Sequence, residues 1–312
     1  MLFRSDVRTA LAEGVGPHTP PALRRLIAGV VDDPDWLDRD LLAEGARVYR
    51  SWGRAGGDVL LGLALIGGYR FGGPTDLLVA TGGLVGDRTR QRLAETQHWT
   101  TRLSEPGALD VHGEAWRLTL HVRIMHAVVG HAHRDTWDVE RWGLPINDAD
   151  QAATLGLFDA VALLGVRSLG VPVSRADSRA VMHLWRYVGW LLGVPADFLV
   201  ATERERHRLN YHLLLSQADL TDAGPALAGA IVEVQRHLGS AAGPRWAGAL
   251  RGTYERERLL SLLSVFLGPV SMRELGLPLR PPWAHGVALA VNPLRYRVLP
   301  RLPGGQIGRA HV

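Results

Sequence analysis

The 312-residue chain contains no cysteine. That excludes disulfides, thiolate–zinc sites, Cys-ligated iron–sulfur clusters and cysteine nucleophiles. Lysine is also missing, so all 35 basic side chains are arginines, a usage that follows GC-rich coding more than any chemical need. The net charge is only +4, and the arginines are scattered rather than striped. No nucleic-acid face is therefore expected. Long apolar runs are scarce: the longest, "VLLGLALIGGY" from Val59 to Tyr69, falls far short of the ~20 residues that span a bilayer, so no stable membrane insertion is expected. Residues 1–20 lack the apolar core and small-residue cleavage site of an export signal, which points to a cytoplasmic protein. There is no G-x-S-x-G, no P-loop and no HExxH. The glycine clusters "GGYRFGGPTD" and "ATGGLVGD" follow no strand, so they are not a dinucleotide fingerprint.

What remains is 46% hydrophobic and 21% charged, the composition of a globular protein whose core can enclose a cofactor. Nearly all of it has helical periodicity. Helices are expected at about 35–51, 56–68, 83–103, 114–133, 148–169, 175–192, 203–216, 224–239 and 254–267. Asp33-Pro34 is read as a cap followed by proline at the first helical position. Asn147 is read as the cap of the 148–169 helix, which Gly170 would close. Ser174 and Asp177 are read as a capping box with Asp in the place of Glu. The aromatics of "HLWRYVGWLLGV" (183–194) have the spacing of a core helix. "GVALAVN" (286–292) is the one stretch with some alternation. The expectation is a single all-α domain over 21–280, with an N-terminal tail (1–20) and a proline-rich, irregular C-terminal tail (281–312).

The histidine-rich helix "RLTLHVRIMHAVVGHAHR" (117–134) raises the main chemical question. Thr119, Val122, Arg123, Val129, Gly130 and His133 share the face of His126. Two valines and a glycine make that face apolar, with Arg123 one turn before the imidazole. Such a face suits a flat apolar cofactor: imidazole to an iron, Val122 and Val129 against the ring, Arg123 for an acid group at its edge. The other reading is a packed core histidine in a cofactor-free helical protein. His131 and His133, at i and i+2, do not share a face and make a poor zinc pair. Upstream, "TRQRLAETQHWTTRL" (89–103) projects Arg92, Glu95 and Thr96 from one side of a helix. A guanidinium, carboxylate and hydroxyl together can hold water or oxygen-derived groups and take a proton; the same spacing also describes an ordinary solvated ion pair.

Taken in order, "GGY" (67–69), "TGGL" (81–84), "RLAETQHW" (92–99), "GEAWRLTLHVRIMHAVV" (113–129), "WGLPINDADQAAT" (142–154), "LLGVRSLGVPVS" (163–174) and "HLWRYVGWLLGV" (183–194) resemble the MpaB-type oxygenase family, which includes the latex-clearing rubber oxygenases. The resemblance covers roughly residues 35–270. It implies a globin-related helical core enclosing haem b, with the histidine of R-x-x-H-A-x-V, here His126, as the proximal iron ligand. It places the Arg-x-x-x-Thr helix, here Arg92 and Thr96, on the distal side. The chain departs from the rubber-cleaving members, which carry a lysine between that arginine and threonine where Glu95 stands here, and which are exported. Their acidic catalytic base has its nearest counterpart in Asp76, outside a clear motif; Glu95 is the better candidate for a distal proton acceptor. The expected function is a haem b-dependent oxygenase that brings dioxygen to an apolar, unsaturated small molecule. A haem-binding sensor or carrier without turnover is the alternative.

Overall fold

The computed structural model describes residues 2–82, 87–241 and 245–297. Among these the regular structure is entirely helical. In chain order the helices are α1 (Leu2–Glu13), α2 (Pro21–Ala28), α3 (Arg39–Ser51), α4 (Gly53–Val59, running on into a π-helical Leu60–Ile66), α5 (Pro74–Ala80), α6 (Asp87–Leu103), α7 (Glu114–His133) and α8 (Val139–Trp142). The second half contains α9 (Asp148–Phe158), α10 (Ala160–Ser168), α11 (Arg175–Leu192), α12 (Glu203–Ser216), α13 (Ala223–Ala241), α14 (Gly248–Phe266), α15 (Gly268–Glu274) and α16 (Trp283–Arg297).

α11 is the axis of the main core. Its Ser174–Asp177 capping box forms in both directions, and Gly193 closes it in a left-handed conformation, so both helix ends are capped. Trp185 and Tyr187 are fully buried. Trp185 stacks on Phe158 at 4.9 Å and meets Tyr49 and Trp99 edge-on at 5.4 and 5.9 Å. α3 lies so close that a Cβ on Gly45 would sit 2.2 Å from the Ala180 carbonyl oxygen. Mid-helix Gly→Ala normally stabilises by ~1 kcal/mol. Here the sign should reverse, Gly45→Ala costing about 1–3 kcal/mol, read as a lowered thermal midpoint. A second cluster forms where α13 and α14 pack together, closed by Ile66 and Tyr69.

Several expectations change. The N-terminal segment carries a helix: α1 buries Val7, Ala10 and Leu11 in the main core. α3 begins after Asp38, whose carboxylate accepts from Leu41 N at 2.9 Å, whereas Asp33 pairs with Arg39. Asn147 caps α9 as expected, accepting from Asp150 N at 2.9 Å. The helix expected over 148–169 is cut at Asp159, which leaves helical geometry (φ −98°, ψ −92°) and caps α10 through Ala160 N. This stretch, 148–168, is long and apolar enough to cross a bilayer, yet half of it is buried in the fold, and Asp159 is paired with Arg206 inside the protein, both 0% exposed. Residues 283–297, expected to be irregular, form α16. Pro281 and Pro282 precede its first turn, where a missing N–H costs nothing, and Pro293 is accommodated within it. Residues 298–312 lie outside the described part.

Candidate functional site

α6 and α7 are joined by a buried hydrogen bond from Trp99 Nε1 to Thr119 Oγ1, 3.0 Å. Glu114, in the first turn of α7, reaches Arg102 and His98 near the end of α6 at 3.3 and 3.6 Å, which makes the pair antiparallel. His126 is seven residues beyond Thr119, and Arg92 seven before Trp99. At 1.5 Å rise per residue both stand about 10 Å from the link on the same side of it. Beyond the link the two helices serve different cores: Leu93 packs against the second cluster and Ile124 against the first. The α6 segment is not sealed against its partner, since Glu95 and Thr96, on the Trp99 side of α6, are exposed.

His126 sits on the α7 segment, with Val122 and Val129 half-buried one turn to either side. Its Nδ1 is buried and has no hydrogen-bond partner. Burial holds the imidazole below its ordinary pKa, opposed by a hydrogen bond with the Gln151 side chain. A neutral ring with one orphaned, inward nitrogen is the form that ligates a metal, and a polar contact on the ring is the usual way its orientation is fixed. Among the described residues no three His, Asp or Glu side chains gather to hold a bare ion. The donor set here is a lone imidazole on an apolar wall, and that fits haem, whose porphyrin brings four of the iron's ligands itself.

The other expected residues are placed as follows. Arg123 turns to the end of α11, where its Nη1 donates to the Leu191 carbonyl at 3.2 Å and its head lies against Gly193; burial lowers its pKa. Arg92 is half-buried and close enough to Tyr69 to oppose the rise that burial imposes on that phenol. Glu95 Oε1 accepts from Gln91 Nε2 at 2.8 Å. Of the other histidines on α7, His121 and His131 are exposed, and His133 Nδ1 donates to Val129 O at 3.0 Å.

Sequence reasoning missed the opposite wall. Asp150 follows the cap, where acidic residues are routine, so "NDADQ" reads as capping alone. In the fold its carboxyl is pushed up to about 6 by burial, against hydrogen bonds from Asn147 and Gln217, and its neighbour Gln151 reaches His126. Asp76 accepts from Thr221 Oγ1 at 2.8 Å. The turn before it is pinned: Gly72 N lies 3.2 Å from both Ala218 and Asp219 carbonyls, and a Cβ on Gly72 would meet the Trp142 ring at 2.6 Å. In the sequence, the "WGLPINDADQAAT" block and the isolated Asp76 marked this region without showing that its parts meet.

The description of a family, "ER-bound oxygenase mpaB/B'/Rubber oxygenase, catalytic domain", matches residues 40–299. The rubber oxygenase of Streptomyces sp. (strain K30) is 26% identical over 187 residues, 59% of this chain and 46% of that protein; the match thus spans under half the relative's length. The solved structure of latex clearing protein LCP in the closed state superposes with a TM-score of 0.75 at 19% identity, covering 99% of this chain and 84% of that one. That likeness is one of fold.

Proposed function

Because the chain belongs to the family of ER-bound oxygenase mpaB/B′ and rubber oxygenase catalytic domains, we propose that it is a haem b-dependent oxygenase acting on an apolar, unsaturated small molecule. The observation that carries the reading is the buried, unpartnered Nδ1 of His126 on an apolar helix face. When bound, haem b supplies the binding and activation of dioxygen.

The chain's own residues do the rest. His126 holds the group, with Gln151 fixing the ring, and Val122 and Val129 give the flat apolar contact that excludes water. Arg123, already fixed on Leu191 O, meets the acidic groups at the cofactor's edge. Across the gap, Arg92 offers a fixed positive charge to oxygen-centred negative charge as it develops. Glu95 takes a proton from the activated carbon next to a double bond, and Thr96 orients both through its hydroxyl. Glu95 stands where a lysine is expected in rubber-cleaving relatives, so a carboxylate replaces an amine on that wall. This favours a soluble unsaturated metabolite over polyisoprene.

Titrating the purified protein with haemin tests the first step. Wild type is expected to give a Soret band saturating at one haem per chain, and His126→Ala to lose or shift that band without loss of helical signal. Since the folded imidazole's pKa is lowered by burial, it stays neutral to a lower pH than an ordinary histidine, and haem affinity should start to fall at a lower pH than for an exposed imidazole. A wild type that stays colourless while folded would return His126 to the core-residue reading.

A further inference from the structure

α16 is amphipathic in the wrong sense for a core helix. Its inward side is small or polar: Ala284 is buried, and three side chains tie the helix down by hydrogen bonds to backbone carbonyls. His285 Nε2 donates to Ser168 O at 2.9 Å, Asn292 Nδ2 to Leu169 O at 2.8 Å and Tyr296 Oη to Trp52 O at 2.6 Å. The first two satisfy the C-terminal turn of α10, where carbonyls would otherwise be orphaned. The outward side carries the large apolar residues. Trp283, Val287, Val291 and Leu294 are 39, 57, 47 and 61% exposed and, at steps of three or four residues, lie on one stripe.

The stripe does not stop at the helix edge. The Trp283 ring meets Tyr254 of α14 at 5.7 Å. One turn before Tyr254 on α14, Leu250 is 74% exposed, and Trp246, just ahead of that helix, is 84% exposed. A patch of aliphatic side chains with three aromatics across two neighbouring helices is more than the scattered surface hydrophobics that need no explanation. On its α16 side the charge has one sign: no Asp or Glu occurs from Leu275 to Val312, while Arg295 and Arg297 end α16. The carboxylates beside Tyr254 are each held by two arginines, Glu255 by Arg54 and Arg258 and Glu257 by Arg256 and Arg280. A two-fold contact between copies would set these cationic segments against each other, which disfavours self-association. An apolar stripe with Trp and Tyr at its margins and arginine at its end matches the interface of an anionic bilayer, where aromatic rings sit at headgroup depth and guanidinium groups meet phosphate.

We propose that the face formed by α16 and the start of α14 docks peripherally on an anionic lipid surface. The contact is reversible and inserts no helix through the bilayer. It does not depend on the oxygenase reading, and the test below needs no cofactor.

Flotation of the full chain with vesicles of phosphatidylcholine, alone or mixed with phosphatidylglycerol, tests it. Wild type should float with the mixed vesicles, less so in high salt, and weakly or not at all with phosphatidylcholine alone. Val287→Asp with Leu294→Asp should cut the bound fraction by roughly tenfold or more, since two exposed aliphatic side chains leave the lipid contact. Both positions face solvent, so the thermal midpoint should not fall. Should that pair fail to fold, Arg295→Ala with Arg297→Ala should remove the preference for phosphatidylglycerol. Absence of wild-type flotation on the mixed vesicles would overturn the proposal, as would flotation indifferent to both pairs of substitutions. A wild-type dimer in light scattering that Val287→Asp converts to a monomer would assign the face to a second copy instead.

Discussion

Arg206→Met is expected to destabilise the fold by about 3–5 kcal/mol at pH 8. Arg206 and Asp159 are both 0% exposed, joined Nε to Oδ2 at 2.7 Å. Removing the cation leaves a carboxylate in the core with only the Ala160 N–H on its other oxygen. Burial already pushes Asp159 up to about 6 against the pull of Arg206. An acid whose folded pKa is raised binds more protons folded than unfolded. Stability therefore falls as pH climbs from the unfolded value near 4 through the folded one. Without Arg206 that folded value rises further, so the deficit of the variant should be largest above pH 7 and shrink toward pH 5. Chemical denaturation at the two pH values reads this directly. Because Arg206 Nη1 and Nη2 have no partner, the pair is an imperfect one. Arg206→Met combined with Asp159→Leu should recover much of the loss, less what the Ala160 cap contributes.

Arg92→Ala is expected to lower substrate-dependent dioxygen consumption by about 10²–10³-fold, the usual effect of removing one preorganised donor from developing negative charge. Haem content should be unchanged, since Arg92 is on α6 while His126, the proposed ligand, is on α7. Glu95→Gln should cost about 10²–10⁴-fold, the range for a positioned general base. It keeps the side chain's shape while removing its ability to take a proton. In a carrier or sensor neither change matters, because neither residue touches the imidazole. Activity that survives in both variants with haem in place would withdraw the roles given to the α6 face.

How much of this was legible beforehand depends on how local the cause is. α7, α11 and α12 fall where periodicity and capping chemistry put them, because a capping box such as Ser174–Asp177 sits within four residues of what it caps. The break at Asp159 was not legible, since the reason for it is Arg206, 47 residues away. α16 was misread for the opposite reason: its apolar residues face outward, so the usual core-facing pattern is absent and the prolines dominated. The site divides the same way. His126 and the Arg92–Thr96 face each belong to a single helix, so spacing groups their side chains while the roles proposed for them come from the family resemblance. Gln151, Tyr69 and the Asp76–Thr221 contact come together only through tertiary packing.

The most direct test of the central claim is dioxygen consumption by the haem-loaded chain with and without a panel of unsaturated apolar compounds, run under ¹⁸O₂. The account predicts uptake above background with at least one compound, ¹⁸O in the product, and loss of both in His126→Ala. A fully haem-loaded protein that consumes no dioxygen beyond background with any of them, or whose product oxygen comes from water, would contradict it.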